Sequence, residues 1–352
     1  MSILTMWKRS NLVMLLSILL VLQLLSGCQM NPSPPEGELE YIVYFSDQQE
    51  VNKVSLISLD NNRMEILFHL PDQARISGIK WSAPANRWVF TALSNGDSDI
   101  YLADWSGKQV KNLTNSPQVY EDEIDISPNG KMIAYSASSL SMNTFIGIID
   151  IANQRNELWN KNHFFDRSPV WFDNNQLIFL SSMEGSPNIF KSSVKDRKNI
   201  NLSAGQGLDT EFSLDKKNKY MAFISDRAGN KNVFLYDFQT QQISQITNNL
   251  GECSSPELSP DGSKIIFRTK QKEGYKLYLY FIADKKMTDI TYTNDLIPLG
   301  FKWSENSEKI VYSAELNKQL DIFVYDVTSR THTNITNSPA MDYSPGWVKK
   351  NK

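Results

Sequence analysis

The sequence predicts an all-β fold made of a recurring four-stranded unit, and three observations carry that reading. A turn motif followed by a dense apolar run returns at a near-constant interval. The segments between the returns alternate in the manner of strands rather than helices, and each unit closes on a short polar turn. The best copy is Ser255 to Arg268, where an extended segment ending at Leu258 enters a Ser259-Pro260-Asp261-Gly262 turn and leaves it as Ile265-Ile266-Phe267. Asp-Gly supplies the positive backbone dihedrals of a tight hairpin at little steric cost, and the β-branched run suits a buried strand.

Copies run from Trp81 to Thr91, from Ile126 to Ser136 and from Trp303 to Ser313, with looser ones beginning at Trp171 and Phe212. Aligned on the apolar residue before the turn, the series is Trp81, Ile126, Trp171, Phe212, Leu258, Trp303 and Trp347, in steps of 45, 45, 41, 46, 45 and 44 residues. A strand-rich repeat in the low-to-mid forties is the signature of a β-propeller. Seven blades are expected, with six as the alternative if the N-terminal piece is irregular.

Ahead of the repeats, Lys8 and Arg9 precede an apolar run from Leu12 to Leu25, broken only by Ser17 and Gln23. As a helix this run reaches roughly 21 Å, short of a ~30 Å hydrocarbon core, so a cleaved signal fits better than a membrane span. It ends in Leu25-Ser26-Gly27-Cys28, which resembles the lipobox of bacterial lipoproteins. That resemblance implies cleavage before Cys28 and acylation of its thiol, with each buried methylene adding about 0.8 kcal/mol to anchoring. Residues 1–27 are thus expected to be a lipoprotein signal peptide, 28–40 the lipidated Cys28 with a Pro-rich tether, and 41–352 the propeller. The implied location is exported and lipid-anchored to a bacterial membrane, facing the periplasm or the cell surface.

The propeller begins with Tyr41 to Phe45 as the second strand of a blade, Val54 to Asp60 as its third and Met64 to Leu67 as its fourth. Its first strand is expected from the other end of the chain, because Ser344-Pro345-Gly346-Trp347 copies Ser168-Pro169-Val170-Trp171. Closing the ring in this way removes two free sheet edges. In the six complete repeats the second strand ends on Phe90, Tyr135, Phe179, Phe223, Phe267 or Tyr312. These rings, with Trp81, Trp171, Trp303 and Trp347, are read as core between neighbouring blades, each contributing roughly 1.5 to 3 kcal/mol. Asp60, Asp104, Asp150, Asp237 and Asp326 are read as caps of the turn after the third strand.

Bulk composition agrees with one large globular fold: 352 residues, 41% hydrophobic and 21% charged, with a formal net charge of −3. Basic residues are spread along the chain without the stripe that phosphate binding needs, so nucleic acid is not an expected partner. Of the two cysteines, Cys28 is assigned to the anchor and Cys253 is left as a small, partly buried filler without a disulfide partner.

Catalytic patterns are absent. There is no G-x-S-x-G elbow. The three histidines, His69, His163 and His332, fall on fourth-strand and loop positions of different blades and are read as surface residues, so no metal and no cofactor are expected. Asp97-Ser98-Asp99 lacks the Gly and Glu of a calcium loop and is read as a solvated turn. Charge does gather on the loops entering the innermost strands, at Arg75, Glu121, Asp122, Asp166, Arg167, Asp209, Glu252 and Asp342. These eight form the candidate partner-binding rim, an acid-rich funnel mouth suited to a basic peptide or a cation.

Taken together, LTNSPQVYEDEIDISPNGKMIAYS, ITNNLGECSSPELSPDGSKIIFRT and SDRAGNKNVFLYD resemble the repeats of the TolB-type propeller family over about Arg75 to Trp347. In that family a periplasmic protein carries a separate domain before a six-bladed propeller and docks a lipoprotein over it. This chain departs in lacking room for that domain, in its expected seventh blade and in its own lipobox. The likeness implies a non-enzymatic interaction platform facing the envelope, and a monomer with a protein or peptide partner is expected. The alternatives are an enzyme acting on envelope polysaccharide, a lyase or hydrolase using funnel acids, and a small-ligand sensor using the funnel.

Overall fold

The computed structural model describes residues 39–350 apart from 49–50, 60–62, 67, 69–73, 95, 140–143, 161–163, 204, 206, 273 and 294–295. The expected signal peptide, Cys28 and nearly all of the tether therefore lie outside the described residues. Every regular element among the described residues is a β-strand.

The 28 strands among the described residues fall into seven sets of four. Unit 1 holds the strands Leu39–Gln48, Val51–Ser58 and Arg63–Ile66, and the C-terminal strand Met341–Lys350 lies beside the first of them. The other six units each begin with an inner strand: Arg75–Ser82, Val119–Ile126, Arg167–Trp171, Asp209–Leu214, Glu252–Leu258 and Ile297–Trp303 for units 2 to 7. Each inner strand pairs antiparallel with the strand that follows it, which pairs with the third and the third with the fourth. Units 2 and 3 join into one eight-stranded sheet through a single parallel bridge, Ser98 to Tyr120.

The aromatic column behaves as its burial pattern requires. Phe90, Tyr135, Phe179, Phe223, Phe267 and Tyr312 are all buried, and each apolar cluster combines side chains of adjacent units, as where Trp159 of unit 3 meets Phe179 of unit 4. The turn caps hold for Asp104, Asp150, Asp237 and Asp326, whose carboxylates accept backbone amides of Gln109, Asn153, Gln239 and Thr328. Asp60 lies outside the described residues.

One register is corrected. Phe212 pairs with Phe223 two positions inside the strand, and Leu214, opposite Met221, takes the place equivalent to Leu258 opposite Ile265. With Leu214 in the series the steps become 45, 45, 43, 44, 45 and 44, which evens the repeat. A β-bulge interrupts the inner strand of every unit from 2 to 7, between Ile76 and Gly78, Asp122 and Asp125, Arg167 and Val170, Asp209 and Phe212, Ser254 and Glu257, and Pro298 and Gly300.

Candidate functional site

Counting back from the corrected column places the rim residues on three different positions of the inner strand. Five residues upstream lie Ile76, Glu121, Asp166, Asp209, Cys253, Pro298 and Asp342, and every one of them is buried. Six upstream lie Arg75, Tyr120, Phe165, Leu208, Glu252, Ile297 and Met341, all exposed except the half-buried Ile297. Alternation along a strand sends one set inward and its neighbours outward.

The acid-rich, solvent-facing mouth is therefore corrected. Glu121, Asp166, Asp209 and Asp342 point into the seams between units. Asp122 is half-buried, and only Arg75, Arg167 and Glu252 of the eight are exposed. Large apolar side chains are exposed beside these three: Tyr120, Phe165, Leu208 and Met341 in the outward column, and Leu299 two residues beyond Ile297, are each between 41% and 55% exposed. Sequence reasoning gathered residues by charge and passed over this column, which becomes legible once Leu214 replaces Phe212 in the alignment.

The buried acids hold the outgoing chain of one unit to the incoming strand of the next. Glu121 lies beside Thr114 and Ser116, and burial, with Asp99 close by, pushes its carboxyl up to about 7 against the hydrogen bonds from those two residues. Its Oε2 has no hydrogen-bond partner. Asp166 accepts Asn160 Nδ2 at 2.6 Å. Asp342 accepts Ser338 Oγ at 3.1 Å, and burial raises it above the ordinary carboxylate range. Asp209 instead receives the Arg227 guanidinium at 3.0 Å, and that guanidinium lies over the Phe223 and Phe234 rings. Cys253 takes the acid's place in unit 6, buried and free, with Thr247 Oγ1 at 3.4 Å.

Asp99, read from sequence as part of a solvated turn, is half-buried and accepts Asn112, Thr114 and Ser116. Asp321 repeats the arrangement with Asn334, Thr336 and Ser338. His332 is not a surface residue either: it is half-buried, and its Nδ1 sits 2.7 Å from the Tyr312 hydroxyl. His69 and His163 lie outside the described residues. Among the described residues no group of three His, Cys, Asp or Glu side chains could hold a metal ion.

At the hairpin end the tryptophan indoles cross the seams. Trp171, Trp303 and Trp347 donate to the carbonyls of Asp125, Glu257 and Lys302 in the preceding unit, and Trp81 donates to Lys349. Lys80–Asp125 and Lys302–Glu257 ion pairs lie beside them at 2.8 and 2.7 Å. Trp171 and Trp303 are buried as expected. Trp81 and Trp347 are only half-buried, and with Trp303 they line a cavity of about 660 Å³ between the inner strands.

Comparison with known proteins follows the repeat. The chain is 29% identical over 250 residues to the Tol-Pal system protein TolB of Francisella tularensis subsp. tularensis (strain WY96-3418), an alignment covering 70% of this chain and 54% of that protein. It thus spans about half the length of the curated relatives it matches. The crystal structure of TolB from Acinetobacter baumannii superposes with a TM-score of 0.54 at 19% identity, over 88% of this chain and 82% of that one. An oligogalacturonate lyase in complex with manganese superposes with a TM-score of 0.60 at 11% identity, over 84% and 85% of the two chains. At such identities both likenesses speak for the fold alone. Residues 123–295 match the profile of the TolB beta propeller domain, so the repeats of that segment are similar to those of TolB-type β-propellers.

Proposed function

We propose that this chain is a seven-bladed propeller, closed by its C-terminal strand in the N-terminal blade, that serves as a non-enzymatic docking platform in the bacterial envelope. Cys28 carries the lipid anchor, residues 1–27 are removed on export, and the partner is an envelope protein or peptide. The observation that carries this reading is the set of large apolar side chains at the mouth: Tyr120, Phe165, Leu208 and Met341 stand out from the surface at equivalent strand positions, and Leu299 two residues beyond that position in unit 7. Exposed apolar side chains gathered at one end of a fold mark interaction surfaces. Arg75 and Glu252 hold the same strand position in units 2 and 6, interleaving charge with the apolar residues, while Glu121, Asp166, Asp209 and Asp342 serve the surface indirectly by fixing the strands beneath.

The test is co-purification of the tagged, anchored protein from envelopes, with bound proteins identified by mass spectrometry. Phe165→Ser combined with Met341→Ser removes the partner and leaves the thermal transition in place. A partner retained by the double variant removes the mouth from the proposal. Loss of membrane fractionation in Cys28→Ser is the separate check on the anchor.

A further inference from the structure

Three residues before the aligned apolar position, the inner strands carry Gly78, Glu123, Ser168, Glu211, Ser255, Gly300 and Ser344, and here the units are not equivalent. Glu123 reaches into the next unit, where the Ser168 amide donates to its Oε2 at 2.7 Å and the Ser168 hydroxyl to its Oε1 at 2.9 Å. Glu211 does the same for the Ser255 amide at 2.5 Å. Ser168 and Ser255 both precede proline and hold φ at 52° and 53°, at the bulge where the amide leaves the strand ladder.

Ser344 shares both features, preceding Pro345 with φ at 51°. The residue standing where a glutamate would reach it is Gly300, which has no side chain to offer. Ser344 is correspondingly exposed, whereas Ser168 and Ser255 are half-buried. Lys302 and Lys80 lie two residues beyond Gly300 and Gly78, on the strands either side of Ser344, and each also pairs with an acid of a further unit, Glu257 and Asp125. Gly300, Ser344, Lys302 and Lys80 all line the 660 Å³ cavity with Trp81 and Trp347, and the carboxylates Asp122, Glu123, Glu257 and Glu305 line it too.

We propose that this cavity is a carboxylate-binding site. The acid group of a ligand takes, on the Ser344 amide, the place that Glu123 and Glu211 take on Ser168 and Ser255. Lys302 and Lys80, shared with their partners Glu257 and Asp125, meet its charge, and the tryptophan faces cover the carbon skeleton behind it. The ligand class is a carboxylic acid small enough for the cavity, either free or as the terminal or side-chain carboxylate of a peptide.

Titration of the full chain with succinate, followed by tryptophan fluorescence and by the ¹⁵N resonance of the Ser344 amide, tests the assignment. Succinate shifts that amide saturably and succinamide does not. A tripeptide with a free C-terminus that loses binding on amidation identifies a terminal carboxylate as the source; an amidated tripeptide containing Glu that still binds identifies a side chain. Gly300→Glu installs the internal carboxylate and weakens succinate binding at least tenfold. The nearest atom to a Cβ on Gly300 would be Ser313 Oγ at 4.0 Å, so there is room for it. Gly300→Ala keeps binding. Lys302→Gln carries the test should Gly300→Glu fail to fold, with affinity lowered at least threefold. A Ser344 amide unmoved by succinate, or unchanged affinity in the folded variants Gly300→Glu or Lys302→Gln, overturns the site.

Discussion

The two ends of the inner strands use the same residue types under opposite conditions. Upstream, Glu121, Asp166, Asp209 and Asp342 are buried beneath exposed apolar neighbours. Downstream, Asp125 and Glu257 meet lysines that are about half exposed. A carboxylate out of water needs hydrogen bonds, a cation or a proton to persist, whereas a pair whose cation stays solvated gains little from the contact. The difference teaches that the seams between units are held by buried polar contacts at one end and by indole hydrogen bonds and weak ion pairs at the other.

The comparison breaks most sharply at Asp209. Replacing it with Ala leaves the mostly buried Arg227 cation without its carboxylate, and a loss of about 3 to 5 kcal/mol is expected in denaturant unfolding. Should the loss be under 1 kcal/mol, Asp209 is not the anchor described. The next effect is pH-dependent. Glu121 titrates near 7 in the fold against its ordinary 4.5, so the folded chain holds the proton more tightly than the unfolded chain. Its contribution to stability is full below about 4.5 and is lost as pH rises through 7. Glu121→Gln, which stays neutral, should therefore gain about 1 to 3 kcal/mol over the parent at pH 8 and nothing at pH 4. Melting curves at the two pH values check this, and an equal shift at both would refute it.

Smaller effects belong to the other end. Lys302→Met breaks the pair with Glu257 and should cost no more than about 1 kcal/mol, fading with added salt. At the mouth, Phe165→Ser should alter stability by less than about 0.5 kcal/mol, because its ring is more than half exposed. A large loss there would show that Phe165 supports the fold rather than faces a partner.

Much of this was legible in the residues. The repeat, the buried aromatic column, the Asp caps and the C-terminal strand beside the N-terminal one follow from period and turn chemistry, which are local. The mouth was misread because charged residues were collected from three neighbouring positions, and on a strand neighbours face opposite ways. Phe212 and Leu214 compete for one place in the alignment because both are apolar and the intervening Ser213 offers no marker. That slip hid the alignment of Asp209 with Glu121 and Asp342.

By itself the sequence determined an all-β repeat with a period near 45 residues, its strands and its turns, since alternation and hairpin residues act over a few positions. Only the tertiary structure decided which acids are buried, that Arg227 reaches Asp209, and that Ser344 meets a glycine where Ser168 and Ser255 meet glutamates. Those outcomes depend on which residues are brought face to face, 18 positions apart for Arg227 and Asp209 within one unit and about 45 for the serines and their partners across units.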